Sequence, residues 1–228
     1  MTKESTILDI QQSYTNTIQA LNHYFKNVLT HKNNLIKLAD NYFQWITKKT
    51  YLLEQEDSFK IPATALPNTF SQNSYNWLLP DKKQIFDQYY KYDSATQKYV
   101  ICVKKDTISY SDINILMHSL VLTRKSVVWV DFGVNIGAEF GGRHPALILK
   151  NLDDSIIVIP LSSKQPESDK FCIKIDSVYG FPPLTRWANV TRIREVDLSR
   201  IDFSCKIGNV NSKIMHDISN KMVACGII

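Results

Sequence analysis

The chain has 228 residues, and its 27 Lys+Arg and 22 Asp+Glu side chains give a formal net charge of +5 at pH 7. Hydrophobic residues make up 44% and charged residues 21%, which excludes wholesale disorder, and 7 Gly with 8 Pro exclude a collagen-like chain. The surplus of positive charge is compatible with a nucleic-acid partner but too small to indicate one.

The sequence predicts a cytoplasmic protein without membrane spans, because no apolar run reaches the ~18–20 residues that a span requires. The first five residues are not followed by the apolar segment of a secretory signal. The 4 cysteines include no C-x-x-C pair, which favours reduced thiols, and the 5 histidines lack metal-binding spacing. We therefore predict no metal site and no cofactor.

Residues 1–56 are predicted to be helical, since apolar residues recur at every seventh position. The first row of this stripe consists of Ile7, Tyr14, Leu21, Val28, Leu35 and Tyr42. No Pro or Gly interrupts residues 1–61, which indicates one long helix or a helical hairpin that bends near residues 31–34. The stripe is predicted to pack against the rest of the chain or a second copy; the alternative is a helix that binds a partner.

Residues 57–124 are predicted to be a linker followed by a mixed α/β connecting region. Three prolines and several Asn and Ser residues between positions 57 and 80 indicate a loop, whose end Trp77–Leu79 would fix to a core. Residues 82–106 are ambiguous, with a helical pattern at 85–90 and a strand pattern at 98–103. Asp112 is predicted to cap a helix that extends to Val121.

Residues 125–228 are predicted to form a third domain of short strands closed by a helix. The strand patterns lie at 127–132, 145–149, 155–161, 171–175 and 189–196, and the final helix begins near Ser212. Several short strands in so few residues are typical of a small barrel or a strongly bent sheet. The fold class is therefore α+β.

The loop between the first two of these strands, Gly137–Pro145, concentrates chemically useful side chains. Arg143 offers a planar fork suited to a phosphate, and His144 can transfer protons near neutral pH. Glu139 is suited to orient either of them or to act as a base. The alternative interpretation is a polar loop with one surface ion pair.

A series of motifs resembles the MazF/PemK family of endoribonuclease toxins. It comprises Val-Val-Trp-Val-Asp-Phe-Gly at 127–133, Gly-Ala-Glu-Phe-Gly-Gly-Arg-His-Pro-Ala-Leu-Ile-Leu at 137–149, Val-Ile-Pro-Leu-Ser-Ser at 158–163 and Ala-Asn-Val-Thr-Arg-Ile-Arg-Glu-Val-Asp-Leu-Ser-Arg-Ile at 188–201. The resemblance covers residues 125–225. It implies an SH3-like barrel, usually dimeric, that cleaves single-stranded RNA such as mRNA without a metal, by attack of the ribose 2′-OH. It also implies a cognate antitoxin as partner.

The resemblance also implies site residues. Ser162 falls at the family's Thr or Ser after the third strand, and Glu139 at its loop acid. The family's key Arg stands immediately before the Pro of the second strand, where this chain has His144, with Arg143 one place earlier. Either the loop shifts so that Arg143 still reaches the phosphate while His144 shares proton transfer, or the two side chains point to opposite faces and catalysis is weakened.

A wider set of residues is predicted to bind RNA. Its members are Phe140, Ser163, Arg186, Arg192 and Arg194. The arginines would extend the RNA-binding face, or would be solvated charges on strands. Phe140 and Trp187 would stack on bases, although Trp187 is also suited to a barrel core.

The sequence therefore predicts the toxin of a type II toxin–antitoxin system, a metal-independent endoribonuclease that forms a homodimer. The alternative is a catalytically weak or inactive nucleic-acid- or protein-binding module on the same barrel. The role of residues 1–124, whether dimerisation, targeting or inhibition in cis, is left open.

Overall fold

The computed structural model describes residues 7–29, 33–55, 58–135 and 140–228. The chain divides into two compact units, Met1–Gln55 and Glu56–Ile228. Within the described residues, no helix is both long enough and apolar enough to cross a membrane. All four cysteines are free thiols.

The first unit consists of two helices, α1 (Ile7–Leu29) and α2 (Asn33–Glu54), which confirms the helical prediction. The bend predicted near residues 31–34 falls partly outside the described residues, since residues 31 and 32 are not described and α2 begins at Asn33. The helices pack through aromatic rings. The ring centroids of Tyr24 and Tyr42 are 5.7 Å apart, and those of Phe25 and Phe43 are 6.2 Å apart. Tyr42 belongs to the apolar row that the seven-residue spacing predicts, and Val28 of that row is buried, whereas Ile7 and Tyr14 are exposed.

The second unit begins with short helices and strands, in the segment predicted to be a linker and a mixed α/β connecting region. They are a 3-10 turn (Ala63–Ala65), β1 (Thr69–Ser71), α3 (Gln72–Asn76), α4 (Pro80–Tyr89), β2 (Tyr90–Asp93), β3 (Lys98–Ile101), α5 (Tyr110–Leu116) and a π-helical turn (Met117–Val121). The strands form an antiparallel sheet in the order β1-β3-β2.

The segment 57–80, predicted to be a loop or linker with little regular structure, holds the 3-10 turn, β1 and α3, because some of its apolar residues are anchored in a core. Phe70 is buried, with its ring 5.6 Å from Phe86 and 5.1 Å from Tyr90. Of the three residues predicted to fix the end of the segment, Leu78 is buried, whereas Trp77 is 87% exposed. Leu79 is also exposed.

The helix predicted to start at Asp112 begins three residues earlier. The Ser109 hydroxyl accepts a hydrogen bond from the Asp112 backbone N–H at 3.1 Å and donates one to the Asp112 carboxylate at 2.8 Å. Ser109 is therefore the N-cap, and Asp112 is the acidic residue three positions on that completes the cap.

The main sheet has seven antiparallel strands and curls into a half-barrel. They are β4 (Ser126–Asp131), β5 (Arg143–Asn151), β6 (Ser155–Ser162), β7 (Cys172–Ile175), β8 (Arg186–Asn189), β9 (Arg194–Asp197) and β10 (Gly208–Asn209), followed by helix α6 (Ser212–Ala224). The strand order is β10-β4-β5-β6-β8-β7, and β9 pairs with β6. The α+β prediction of a small SH3-like barrel with a closing helix is confirmed.

The two faces of this sheet belong to different cores, because side chains alternate along each strand. Val127, Leu147 and Ile159 pack on one face with Met215 and Ile218 of α6. On the other face, residues such as Val128, Ala146 and Val158 share a core with Phe86, Leu116 and other residues of the segment 57–124. That segment is thus joined to the sheet by a continuous hydrophobic core.

The strand predicted at 189–196 is divided by a turn. The Asn189 carboxamide oxygen accepts a hydrogen bond from the Thr191 backbone N–H at 2.9 Å, which starts a 3-10 turn at Val190–Arg192. The chain then leaves β8 and returns as β9 on the other part of β6. This turn brings Arg192 to one end of the sheet.

Candidate functional site

Three side chains form a row across strands β5, β6 and β8. Ser162 lies directly opposite Trp187, and Ala146 lies opposite Pro160. Continuing the β5–β6 register by two residues places His144 opposite Ser162. Opposite residues of antiparallel strands share a face, with Cβ atoms ~4.5–5.5 Å apart. His144, Ser162 and Trp187 are therefore neighbours on one face.

A cleft of about 300 Å³ lies beside this row, and its lining includes Ser162 and Trp187 but not His144. Its lining residues are Phe140, Pro160, Ser162, Lys164, Gln165, Pro166, Glu167, Cys172, Trp187, Asn189 and Arg192. The cleft thus brings together Ser162 with Phe140 and Arg192, three residues that the sequence predicts for the site. It has a mixed lining of aromatic, cationic and amide side chains.

His144 is half-buried at the Phe140 end of this row, with the two ring centroids 4.4 Å apart. Burial lowers the pKa of His144 below its ordinary value, and hydrogen bonding to the backbone of Gly141 and Leu161 partly opposes this. The imidazole is consequently neutral near pH 7. A neutral imidazole can accept a proton from a bound hydroxyl group.

Arg192 supplies the positive charge at the same end of the cleft. Its guanidinium carbon lies 5.4 Å from the centre of the Phe140 ring, and the residue is otherwise exposed. Phe140 itself is buried and also contacts Phe132 at 5.7 Å. Phe140 therefore contacts both Arg192 and His144 and is covered by its neighbours.

The hydroxyl group of Ser162 is fixed at the end of β6. It accepts a hydrogen bond from the Lys164 backbone N–H at 3.0 Å and lies 3.3 Å from the Lys164 carbonyl oxygen, to which it donates. Such a local turn orients the oxygen atom while leaving acceptor capacity for a ligand.

Arg143 lies on the opposite face of β5 from His144, because the two residues are adjacent in a strand. Its guanidinium forms an ion pair with the Asp202 carboxylate, donates to Cys205 Sγ at 2.8 Å and lies 4.9 Å over the Trp129 ring. A hydrogen bond from Ser204 and the Arg143 pair hold the pKa of Asp202 below its usual value. The structure does not bring Arg143 into the cleft.

The remaining predicted residues are dispersed. Arg186 is buried, donates to the Leu184 carbonyl oxygen at 2.9 Å and lies over Phe181; burial lowers its pKa. Arg194 lies on β9 opposite Val158, away from the cleft lining. Ser163 is exposed and follows Ser162. Glu139 lies outside the described residues, so its placement stays a prediction.

Sequence reasoning missed several residues that line the cleft. Asn189 could have been found, because strand alternation places it on the same face as Trp187, two positions earlier. Lys164 and Glu167 come from the loop after β6 and Cys172 from the start of β7, where nothing in the local pattern indicates the site. Among the described residues, no group of three or more His, Cys, Asp or Glu side chains could hold a metal ion.

The half-barrel with its closing helix is the fold of a family of toxins. Residues 123–224 match the family model described as PemK-like, MazF-like toxin of type II toxin–antitoxin system. The chain thus carries a domain of the PemK/MazF toxin family, preceded by an N-terminal extension that includes two helices. The predicted family resemblance is confirmed.

Solved structures of such proteins match just under half of the chain. A crystal structure of MazF from Deinococcus radiodurans has 18% identity and a TM-score of 0.39, and the match covers 46% of this chain and 96% of that one. The MazE–MazF structure from the same organism has 18% identity, a TM-score of 0.36 and the same coverage. The Mycobacterium tuberculosis toxin MazF-mt6 has 11% identity and a TM-score of 0.34, covering 43% and 92%. No curated protein matches the chain.

Proposed function

We propose that this chain is the toxin of a type II toxin–antitoxin system and cleaves single-stranded RNA without a metal ion. The observation that carries the proposal is the cross-strand row His144–Ser162–Trp187, of which Ser162 and Trp187 line a cleft together with Arg192. This row lies within the segment that matches the toxin family model. It combines a proton acceptor, a hydroxyl group, a stacking surface and a cation.

The proposed reaction is an internal transesterification. His144 takes the proton from a ribose 2′-OH, the 2′ oxygen bonds to the adjacent phosphorus, and the bond from phosphorus to the 5′ oxygen breaks. The products are a 2′,3′-cyclic phosphate and a 5′-OH. The leaving 5′ oxygen takes a proton, a role that we assign to Glu139 in accordance with the sequence prediction.

Arg192 is assigned to the phosphate, because Arg143 lies on the other face of β5 and is paired with Asp202. A guanidinium can hold two non-bridging phosphate oxygens and stabilise the charge that builds up on them in the transition state. Ser162 would turn its hydroxyl hydrogen from the Lys164 carbonyl oxygen to a phosphate oxygen. Trp187 would stack on a neighbouring base.

A second candidate function is supported by the position of Arg143. The family resemblance places an arginine beside the scissile phosphate, and here that position is held by His144 while Arg143 is engaged elsewhere. A domain that binds RNA or a protein without cleaving it is consistent with this exchange. RNA binding without turnover would favour this candidate over the nuclease.

The partners follow from the family description. We propose that a cognate antitoxin binds the domain, that the active form is a homodimer, and that the protein acts in the cytoplasm. One of the similar structures is of MazE with MazF. Co-purification of the chain with the product of an adjacent gene, and a mass measurement of the pure chain, test the first two points.

The decisive experiment incubates the purified chain with single-stranded RNA in EDTA. We expect cleavage that leaves cyclic phosphate ends, and its loss in His144→Gln and Arg192→Gln. Lys150→Gln, at the exposed far end of β5, removes one charge outside the cleft and serves as control. If both His144→Gln and Arg192→Gln cleaved RNA as the wild type does, the proposed site would be contradicted. If the wild type cleaved no RNA, the proposed nuclease activity would be contradicted.

A further inference from the structure

The carboxamide of Asn189 faces the cleft beside Trp187. Asn189 is the last residue of β8 and lies opposite Cys172, another residue of the cleft lining. Because it follows Trp187 by two positions, its side chain shares the face of Trp187 and Ser162. A base stacked on Trp187 would therefore present its edge to Asn189.

The hydrogen bonds of the turn fix which end of this carboxamide faces a ligand. Its Oδ1 atom accepts from the Thr191 backbone N–H at 2.9 Å and from the Thr191 hydroxyl at 2.7 Å. Since the backbone N–H can only donate, this end of the amide must be the oxygen. The group is planar, so Nδ2 is held on the other side of Cγ.

The Nδ2 group has no hydrogen-bond partner within the described part of the chain. It consequently presents two N–H donors to whatever occupies the cleft. Uracil and guanine carry a keto oxygen, an acceptor, at the edge position where cytosine and adenine carry an amino group, a donor. A fixed donor pairs with the first class and is opposed by the second.

We propose that Asn189 selects a keto base, uracil or guanine, for the nucleotide that stacks on Trp187. This inference rests on the proposed function, because it requires RNA to enter this cleft. Asn189 is a specificity-determining residue and takes no part in the transfer of protons. A single well-placed hydrogen bond of this kind is expected to discriminate between bases by roughly tenfold.

The test measures binding rather than cleavage, with 2′-O-methyl oligonucleotides that cannot be cut. Two matched pairs exchange a keto edge for an amino edge on the same ring: oligouridine against oligocytidine, and oligoinosine against oligoadenosine. We expect the wild type to bind the keto member of each pair about tenfold more tightly. In Asn189→Asp, Oδ1 still accepts from Thr191 and the donor becomes an acceptor, so the preference should reverse.

Asn220→Asp is the matched control, since it makes the same change at an exposed position of α6. Both variants add one negative charge and should weaken binding generally, but only Asn189→Asp should change the ratio within a pair. Thermal unfolding of each variant verifies that the turn at Val190–Arg192 has not been lost.

Each outcome separates this inference from the proposed function. Equal affinities within both pairs, or a keto preference that Asn189→Asp leaves unchanged, overturn the inference even where the wild type cleaves RNA. A keto preference that reverses in Asn189→Asp, without any cleavage, supports the inference and contradicts the nuclease. The absence of binding to any oligonucleotide overturns both.

Discussion

The guanidinium of Arg143 is tied to the carboxylate of Asp202 on the face of β5 that does not line the cleft. We expect Arg143→Gln to lower the free energy of unfolding by about 1 kcal/mol, from a partly exposed ion pair and the contact with Trp129. RNA cleavage per folded molecule should be unchanged. Urea unfolding and a cleavage assay on the same preparation measure both quantities.

Asp202→Asn is the matched partner for this measurement, because a double-mutant cycle isolates the Arg143–Asp202 interaction. If Arg143→Gln abolished cleavage while the stability stayed the same, Arg143 would act on the substrate. The loop before β5 would then have to rearrange when RNA binds.

Arg192→Gln is expected to affect function without affecting stability. Loss of a charged phosphate contact should reduce cleavage by roughly 10²-fold. It should also reduce the slope of log RNA affinity against log salt concentration by about one. The Arg192 side chain is exposed and its guanidinium contacts the face of the Phe140 ring, so the unfolding temperature of Arg192→Gln should differ little from that of the wild type. Arg192→Lys should restore part of the activity, and Lys150→Gln should lose none.

His144 is expected to set the acidic limit of activity. Burial lowers its pKa from the ordinary value of 6.5, so the neutral form that accepts a proton persists below that pH. The acid limb of kcat/KM should therefore lie below pH 6.5. A limb that remained in the residual activity of His144→Gln would have to be assigned to another group.

The same shift in pKa makes stability depend on pH. Below pH 6.5 the unfolded chain binds a proton at His144 that the folded protein still excludes, so the free energy of unfolding falls as the pH falls through this window. Replacing His144 by Gln should remove this part of the dependence. Chemical unfolding at pH 7 and at intervals down to pH 5 provides the measurement.

Truncation should distinguish the two parts of the N-terminal extension. Removing residues 1–55 takes away one compact unit and should leave the remaining chain folded. Removing residues 1–110 uncovers the sheet face of Val128 and Ala146, which should cause aggregation or a large loss of stability. Circular dichroism and gel filtration of both truncated chains test this, and a soluble, folded 111–228 chain would contradict it.

Patterns with a strong period predicted the fold well. The seven-residue spacing from Ile7 to Val28 gave a helix, and the apolar runs at 127–132 and 155–161 gave two central strands. The run at 189–196 was predicted as one strand because its propensity is continuous. A hydrogen bond from the Thr191 backbone N–H to the Asn189 side-chain oxygen divides this run, and strand propensity contains no information on such a bond.

The candidate site could be predicted only in part. Alternation along a strand predicts that Arg143 and His144 point to opposite faces of the sheet, but it does not predict which of the two faces the cleft. That choice depends on the pairing of Asp131 with Arg143 and of Val130 with His144, a register that the structure defines. Phe140 was predicted to stack on RNA, and its burial between His144 and Arg192 depends on packing that no local pattern contains.

Adjacency of Arg143 and His144 in one strand makes the chemistry of the cleft depend on the order of two neighbouring residues. Exchanging them, as in the double variant Arg143→His/His144→Arg, would deliver a guanidinium to Ser162 and an imidazole to Asp202 without moving the backbone. Exchanging these two neighbouring residues would thus convert a site with a proton acceptor beside Ser162 into a site with a cation beside Ser162. The same backbone can present either side chain at this position.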